Sequence, residues 1–304
     1  MARMFSAEFV PSAQSAHGKG LKAMRTVRLT QREIDQVIEF MHQSCGNDFS
    51  DKESLVASKM SVLCGQLDYQ HFYQLWDDMQ GTTIAAAHLR HLVIDELTTS
   101  YSYFYREDSH FALLTKLISE GKLPAYGSEL RLWSAGCASG EEAYNLAMTV
   151  EEARRGGLFA GPYHVVGSDI SEHAIEDAVA GLYDVVDVSR MPPHWRTQYC
   201  MRSGSGYEVK SQLRDHVEFR CENVLSPRPD TPFDVVMCRN MMIYFDNQAI
   251  DQFRFVLQGR VKPGGYLFLG HAEILNALPG FTYVEPSLWR RDAGGSDLLS
   301  LIRR

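Results

Sequence analysis

The 304-residue chain is predicted to be an α/β protein, in which a small all-α region precedes a parallel β-sheet covered by helices. Up to about residue 98 the apolar residues recur only at helical spacing, whereas from Leu130 onward short apolar runs alternate with helical segments. Such alternation favours a parallel sheet with helices on both faces. The alternation breaks between about 183 and 215, where a Pro-Pro pair, a GSG turn and a strand-like YEVKS segment indicate an inserted β-subdomain that ends in a hairpin.

The N-terminal region is predicted to form four helices. The first begins at a capping box, with Thr30 followed three residues later by Glu33, and Gly46 is a plausible stop. Three further helices are indicated within residues 52–65, 66–81 and 83–99. We expect their apolar stripes to form the core of a small bundle.

These patterns divide the chain into four predicted parts. They are a flexible tail over 1–23, a helical domain over 24–80, a helical linker over 81–98 and a sheet domain over 99–304. The strands of the sheet domain are predicted at LRLWSA, YHVVGSD, HVEFRC, FDVVMCRN and GYLFLG.

Composition excludes several function classes. The net charge of −8 argues against broad nucleic-acid binding, and no apolar run is long enough to span a bilayer. The six cysteines form no C-x-x-C pair, and the histidines show no zinc-ligand spacing. We therefore expect a cytoplasmic monomer with reduced thiols, no metal and no membrane insertion.

The segment after the first predicted strand carries the most informative chemistry. Gly136 and Gly140 are followed by the carboxylate pair Glu141 and Glu142 at the start of a helix. This spacing does not match the G-x-G-x-x-G pattern of dinucleotide sites, and two carboxylates would repel a phosphate. The loop therefore predicts a phosphate-free cofactor with positive charge, such as S-adenosylmethionine. For both glutamates, and more so for Glu141, the alternative is a favourable interaction with the helix dipole alone.

Ligands of open parallel sheets bind beyond the carboxyl ends of the strands. Asp169 ends the second predicted strand, where its carboxylate could accept hydrogen bonds from both ribose hydroxyls. Further polar candidates follow the later strands, and they are Asn223 with Val224, then Arg239, Asn240 and Tyr244. A Pro-Gly-Gly turn before the late apolar strand is common in methyltransferases of this class.

Six sequence blocks, in this order and spacing, resemble the chemotaxis receptor methyltransferases of the CheR family. They are TTSYSYFYRE, WSAGCASGEEAYNLAM, GSDIS, CENVL, CRNMMIYFD and LGHAE. The resemblance spans about residues 24–304 and implies a Rossmann-like class I S-adenosylmethionine-dependent methyltransferase domain with an inserted antiparallel β-subdomain. It also implies methyl transfer to glutamate side chains of bacterial chemoreceptors, which gives glutamyl methyl esters and S-adenosylhomocysteine.

The resemblance also implies the site residues. Those expected at the cofactor are Ser100, Ser102, Arg106, Gly136, Glu142, Asp169, Asn223, Val224, Arg239 and Asn240. Arg106 and Tyr244 match the residues that the family places beside the transferred methyl group. Ser100 and Ser102 depart from the family, which usually has Asn and Thr there. For Arg106 the alternative is a surface ion pair with Glu107 or Asp108, and for Tyr244 it is a place in the sheet core.

The implied partner is the cytoplasmic coiled coil of a chemoreceptor, and docking of a receptor C-terminal tail peptide on the β-subdomain stays open. Basic residues that could face the receptor cluster at Lys19, Lys22, Arg25, Arg28 and Arg32.

Two alternatives remain, namely a methyltransferase of the same fold with another acceptor, and a non-catalytic cofactor-sensing module. The departures at Ser100 and Ser102 are the only support for the second alternative, and the presence of Arg106 and Tyr244 counts against it.

Overall fold

A computed structural model describes residues 26–125, 128–273 and 277–293 of the chain. The predicted flexible tail and Lys19, Lys22 and Arg25 lie outside the described residues. Within them, no helix combines the length and the hydrophobicity that crossing a bilayer would need. All six cysteines are free thiols, and five of them are buried.

Four helices form the N-terminal region, as their spacing predicted: α1 (Gln31–Cys45), α2 (Glu53–Gln66), α3 (Phe72–Met79) and α4 (Ile84–Leu97). The capping box of Thr30 and Glu33 is present, and Gly46 ends α1 in the left-handed conformation that glycine tolerates best. The helix predicted as a linker is α4, and its Val93, Ile94 and Leu97 share one apolar core with the other three helices.

A seven-stranded sheet forms the second half of the molecule, with the strand order β6-β2-β1-β7-β8-β10-β9. Its strands are β1 (Leu130–Ala135), β2 (Tyr163–Asp169), β6 (Val217–Cys221), β7 (Phe233–Cys238), β8 (Val261–Leu269), β9 (Phe281–Glu285) and β10 (Leu288–Arg291). The helices that accompany it are α5 (Ser109–Ser119), α6 (Glu141–Arg155), α7 (Glu172–Ala180) and α11 (Asn247–Arg260).

The sheet is mixed, whereas the sequence pattern predicted a parallel one. The five predicted strands pair in parallel, but β9 and β10 pair antiparallel to each other, and β10 pairs antiparallel to β8. Only two residues separate β9 from β10, too few for the crossover that a parallel connection needs. The last two strands therefore return as a hairpin.

The insertion between α7 and β6 contains a second, three-stranded antiparallel sheet with the order β3-β5-β4. Its elements are β3 (Leu182–Tyr183), α8 (Val185–Ser189), α9 (Pro193–Tyr199), β4 (Cys200–Ser203), β5 (Gly206–Val209) and α10 (Ser211–Arg214). The predicted hairpin is the β4–β5 pair, which turns at the GSG segment.

Candidate active site

One pocket lies at the carboxyl ends of β1, β2, β6 and β7, with an empty volume of about 850 Å³. All eleven residues that the sequence nominated for the cofactor or for catalysis line it, and they are Ser100, Ser102, Arg106, Gly136, Glu142, Asp169, Asn223, Val224, Arg239, Asn240 and Tyr244. Glu141 is absent from the pocket wall. Of the two adjacent carboxylates, Glu142 is therefore the one that lines the pocket.

The loop after β1 brings backbone close to the pocket. Gly136 has a φ of 78°, and a Cβ there would lie 2.9 Å from the Met241 sulfur. Ala138 also adopts a positive φ of 48°, although it has a side chain. Its amide donates to Asp169 Oδ2 at 2.9 Å, so the loop and the end of β2 fix each other.

Asp169 occupies the position at which the sequence placed a ribose-binding carboxylate. Its second oxygen, Oδ1, accepts a hydrogen bond from the Ser171 amide at 3.0 Å. Burial raises the pKa of Asp169, and hydrogen bonds from backbone amides oppose that shift. Each carboxylate oxygen keeps a further lone pair, so the group can still accept from hydroxyls of a ligand.

Glu142 and Arg239 form a buried ion pair at the base of the pocket. Arg239 Nε donates to Glu142 Oε2 at 2.6 Å, and Ser134 Oγ donates to Oε1 at 2.7 Å. The Arg239 side chain is only 3% exposed. The sequence predicted that Glu142 would attract a cationic ligand, but Arg239 already balances its charge, so Glu142 contributes directed acceptors more than net charge.

Arg239 also supports the loop that carries Arg106. Its Nη1 donates to the Arg106 carbonyl at 2.6 Å and to His110 Nδ1 at 3.2 Å. The residues on either side of Arg106 are in left-handed backbone, with φ of 64° at Tyr105 and 54° at Glu107. Strained conformations of this kind persist only where the surroundings enforce them, and they cluster at functional sites.

Arg106 itself reaches into the pocket with little to neutralise it. Its Nη1 donates to the Tyr101 carbonyl at 3.1 Å, and its guanidinium lies 5.8 Å from the centre of the Tyr103 ring. Within the described residues no carboxylate lies within salt-bridge distance of it, so the alternative of an ion pair with Glu107 or Asp108 finds no support. The charge of Arg106 is available to an anionic substrate.

Tyr244 lies on a 3₁₀ turn, Met242–Tyr244, rather than in the sheet core. Its carbonyl accepts from the Asp48 amide at 2.8 Å, and Asn47 pairs with Phe245 in an isolated bridge. The segment that follows α1 is thereby tied to the loop after β7. Cys45, the last residue of α1, and Asn47, in the segment after it, also line the pocket, so the helical region supplies part of its wall.

The sequence did not identify the residue that shapes the loop after β7. Glu273 accepts from the amides of Met241, Met242 and Gly270 at 2.7, 3.2 and 2.6 Å. The block LGHAE contains this glutamate, but its contacts with Met241 and Met242, about 30 residues earlier, form only in the folded chain. Asn240 there has a φ of 57°.

One group of potential metal ligands lies behind the pocket. Glu107, His110 and His271 each offer a donor atom within 4.8 Å of the others. The neighbouring Arg239 guanidinium, 3.9 Å from Glu107 Oε2, disfavours a cation there because like charges repel.

The pocket can be tested for its fit to the predicted cofactor. Its polar groups converge from four strand ends, which is typical of small-molecule sites in open sheets. Asn240 Oδ1 is buried without a hydrogen-bond partner, as expected of an atom that a bound ligand satisfies. These features fit S-adenosylmethionine, and the fold and pocket together define a methyltransferase of the class that uses this cofactor.

Residues 100–289 match the family described as CheR methyltransferase, SAM binding domain. The chain therefore belongs to the CheR methyltransferase family, which confirms the predicted resemblance and the cofactor.

Similar proteins include "Chemotaxis protein methyltransferase 1" of Pseudomonas aeruginosa, which is 35% identical over 79% of this chain and 89% of that protein. "Chemotaxis protein methyltransferase Cher2" of Pseudomonas putida is 34% identical over 81% of this chain and 92% of its own. "Chemotaxis protein methyltransferase" of Borreliella burgdorferi is 27% identical over 88% of this chain and 96% of that protein.

Proposed function

We propose that the protein transfers a methyl group from S-adenosylmethionine to glutamate side chains of bacterial chemoreceptors. The observation that carries the choice of acceptor is Arg106, a cation that lines the cofactor pocket and has no carboxylate partner among the described residues. Membership of the chemotaxis methyltransferase family supports the receptor as the acceptor protein.

In this proposal the cofactor is held by the residues at the strand ends. Asp169 accepts from the ribose hydroxyls, and the backbone at Gly136 allows the nucleoside to approach closely. Glu142 and Asn240 face the amino-acid end, while Asn223 and Val224 lie beside the base. Ser100 and Ser102 add hydroxyl groups. Asn223 also donates to the Ser44 carbonyl at 2.6 Å, which couples this part of the pocket to the helical region.

The chemistry needs orientation rather than a base. A glutamate carboxylate is ionised at pH 7, so no proton has to be removed before it attacks. When bound, S-adenosylmethionine supplies an electrophilic methyl group on a sulfonium centre. The new carbon–oxygen bond of the ester forms as the carbon–sulfur bond breaks, and no proton moves.

Arg106 and Tyr244 are the catalytic residues of the proposal. Arg106 orients the substrate carboxylate by a charge-assisted hydrogen bond, and Tyr244 holds the second oxygen or contacts the reacting methyl. A tight, dry ion pair would make the carboxylate a poorer nucleophile. The partial exposure of Arg106 and its bond to the Tyr101 carbonyl moderate that pairing.

The receptor is expected to dock across the helical region and the mouth of the pocket. Arg28, just before α1, and Arg32, in its first turn, are exposed, and neither forms an ion pair within the described residues. They could meet the acidic methylation region of a receptor coiled coil. The three-stranded sheet of the insertion is a second candidate surface, for a receptor tail peptide that would add a strand.

The test is transfer of a labelled methyl group to purified receptor signalling domains. We expect label that is released as methanol by mild base, because carboxyl methyl esters are base-labile and N-methyl groups are not. Receptor domains whose methylation-site glutamates are replaced by alanine serve as the matched acceptor control. Equal labelling of both acceptors, or base-stable label, would contradict the proposal.

A further inference from the structure

His110 is a buried histidine whose two ring nitrogens have different surroundings. It lies in the first turn of α5 and is only 3% exposed. Its Nδ1 is 3.2 Å from Arg239 Nη1 and 3.5 Å from Glu107 Oε2, whereas its Nε2 is buried without a hydrogen-bond partner among the described residues. The contact with Arg239 is the shorter of the two, and a guanidinium can only donate, which makes Nδ1 the acceptor and places the proton of the neutral ring on Nε2.

The same Arg239 nitrogen serves the loop that presents Arg106. Nη1 carries two hydrogens, and its two nearest acceptors are the Arg106 carbonyl at 2.6 Å and His110 Nδ1 at 3.2 Å. The Glu107 carbonyl is a third, more distant acceptor at 3.5 Å. Without the imidazole acceptor, a buried N–H of Arg239 would lack a partner or would turn toward Glu107, and either change is unfavourable.

The loop depends on this support because its backbone is strained. Tyr105 and Glu107 both have positive φ, a conformation that is unfavourable for residues with a side chain. Arg106 lies between them, and its carbonyl is anchored by Arg239. A change in the orientation of Arg239 would therefore let the loop relax and would move the Arg106 guanidinium.

We propose that His110 is a positioning residue for methyl transfer, which fixes Arg239 by accepting at Nδ1 and thereby holds Arg106 in place for the substrate carboxylate. This assignment rests on the proposed function, because it is the methylation of a carboxylate that makes the placement of Arg106 matter. His110 does not line the pocket, so it acts only through its neighbours.

A metal at Glu107, His110 and His271 would require the opposite arrangement. To coordinate through the unpartnered Nε2, His110 would need its lone pair there and its proton on Nδ1. That proton would then point toward Glu107 Oε2, 3.5 Å from Nδ1, and the Arg239 N–H would lose its acceptor. Support for Arg239 and metal coordination through Nε2 are thus mutually exclusive, which gives the proposal a second test.

The main experiment compares two substitutions of His110, each of which keeps a polar atom near the position of one ring nitrogen. In His110→Asn a polar side-chain atom takes the place of Nδ1, whereas in His110→Gln it takes the place of Nε2. We expect His110→Asn to keep the rate of receptor methylation within about threefold of the wild type. His110→Gln and the apolar His110→Leu should lose about 10- to 100-fold, as the loss of one buried hydrogen bond predicts.

The affinity for S-adenosylhomocysteine, measured by calorimetry, should change less than threefold in all three variants. The order of the variants by melting temperature should differ from their order by methylation rate. Equal rate losses in His110→Asn and His110→Gln, or a loss of affinity that parallels the loss of rate, would overturn the assignment. Absence of base-labile methylation by the wild type would instead refute the proposed function.

Two readouts do not depend on activity. Long-range nitrogen–proton NMR of the wild type should show the His110 proton on Nε2 at pH 7, and a proton on Nδ1 would contradict the proposal. In a zinc titration, the wild type and His271→Ala should bind zinc equally, because no zinc is expected at this group. Zinc binding abolished by both His271→Ala and His110→Leu would replace the positioning role with a metal site.

Discussion

Two arginines at the active site have opposite surroundings. Arg106 lines the open side of the pocket, and its guanidinium meets a backbone carbonyl and an aromatic ring. Arg239 lies behind it, 3% exposed, with Glu142, the Arg106 carbonyl and His110 around its guanidinium. The satisfied arginine can bind little more and therefore holds structure, while the unpaired one is free to meet a substrate. The predictions below test this division.

The largest expected effect is on stability at the buried arginine. Arg239→Ala should lower the free energy of unfolding by about 3–5 kcal/mol, because it leaves Glu142 buried without its counterion. Denaturant titration measures this loss. Lys262→Ala is the matched control, since it removes the partner of another buried carboxylate, Asp234, away from the pocket. Lys262→Ala should be destabilised but should bind S-adenosylhomocysteine with normal affinity. If Lys262→Ala also lost this affinity, the loss could not be assigned to the surroundings of Arg239.

A second effect concerns pH. Burial and the neighbouring Arg239 lower the pKa of His110 from 6.5 to about 4, while Glu107 opposes the shift and His271 adds to it. Between pH 4 and 6.5, His110 is protonated in the unfolded chain but not in the folded protein. The free energy of unfolding should therefore fall as the pH drops from about 6.5 to 4, by up to roughly 3 kcal/mol. His110→Asn should remove this component.

The difference between wild-type and His110→Asn stability curves isolates the histidine. Glu141, Asp169 and Glu273 have pKa values raised by burial, but they are present in both proteins and cancel. Parallel curves over this pH range would show that His110 is not held neutral by its surroundings.

At the open side, Asp169→Ala should weaken binding of S-adenosylhomocysteine by about 1.5–3 kcal/mol, the range for hydrogen bonds to a charged group. Calorimetry measures this affinity. Asp177→Ala, on the exposed surface of α7, is a control that should leave affinity unchanged. Unchanged affinity in Asp169→Ala would remove this carboxylate from the cofactor site.

The sequence predicted the residues that line the pocket, the buried Glu142 and Arg239 among them, but not the contacts that hold those two in place. Strand ends converge at one edge of a parallel sheet, so the polar residues after the strands could be assigned to one pocket from periodicity alone. Resemblance added Ser100, Ser102 and Arg106, which lie before the first strand. The support of Arg239 by His110 joins residues 129 apart, and neither local spacing nor hydropathy records such a contact.

Glu273 and the β9–β10 hairpin show the same limit. Glu273 accepts from the amides of Met241 and Met242, which its own segment reaches only after β7 and β8 have paired. The hairpin has too little apolar alternation to be recognised, because most of β9 faces solvent. Contacts between residues far apart in the sequence were therefore not predicted, whereas the helices, the strands and the residues at strand ends were.

The smallest expected effect is on receptor association. Reversing Arg28 and Arg32 to Glu should slow receptor methylation a few-fold at low salt and reduce its salt dependence, because exposed charges act mainly on the rate of encounter. Lys116→Glu with Lys122→Glu changes the net charge equally on another exposed surface and should have less effect. Equal rates for the wild type and the Arg28/Arg32 reversal would assign these two arginines to solvation alone.

The central claim is that Arg106 acts on the substrate, with Tyr244 beside it, while Arg239 holds the site together. The most direct measurement is the receptor methylation rate of Arg106→Ala, together with its affinity for S-adenosylhomocysteine and its melting temperature. Arg190→Ala serves as the control, because Arg190 is exposed and stacks on the same Tyr103 ring at 3.9 Å without lining the pocket. We expect a rate loss of about 100-fold or more in Arg106→Ala, a loss of about tenfold in Tyr244→Phe, and near-normal affinity and stability in both. A loss of affinity or stability in Arg106→Ala as large as its loss of rate, or an equal rate loss in Arg190→Ala, would contradict the account.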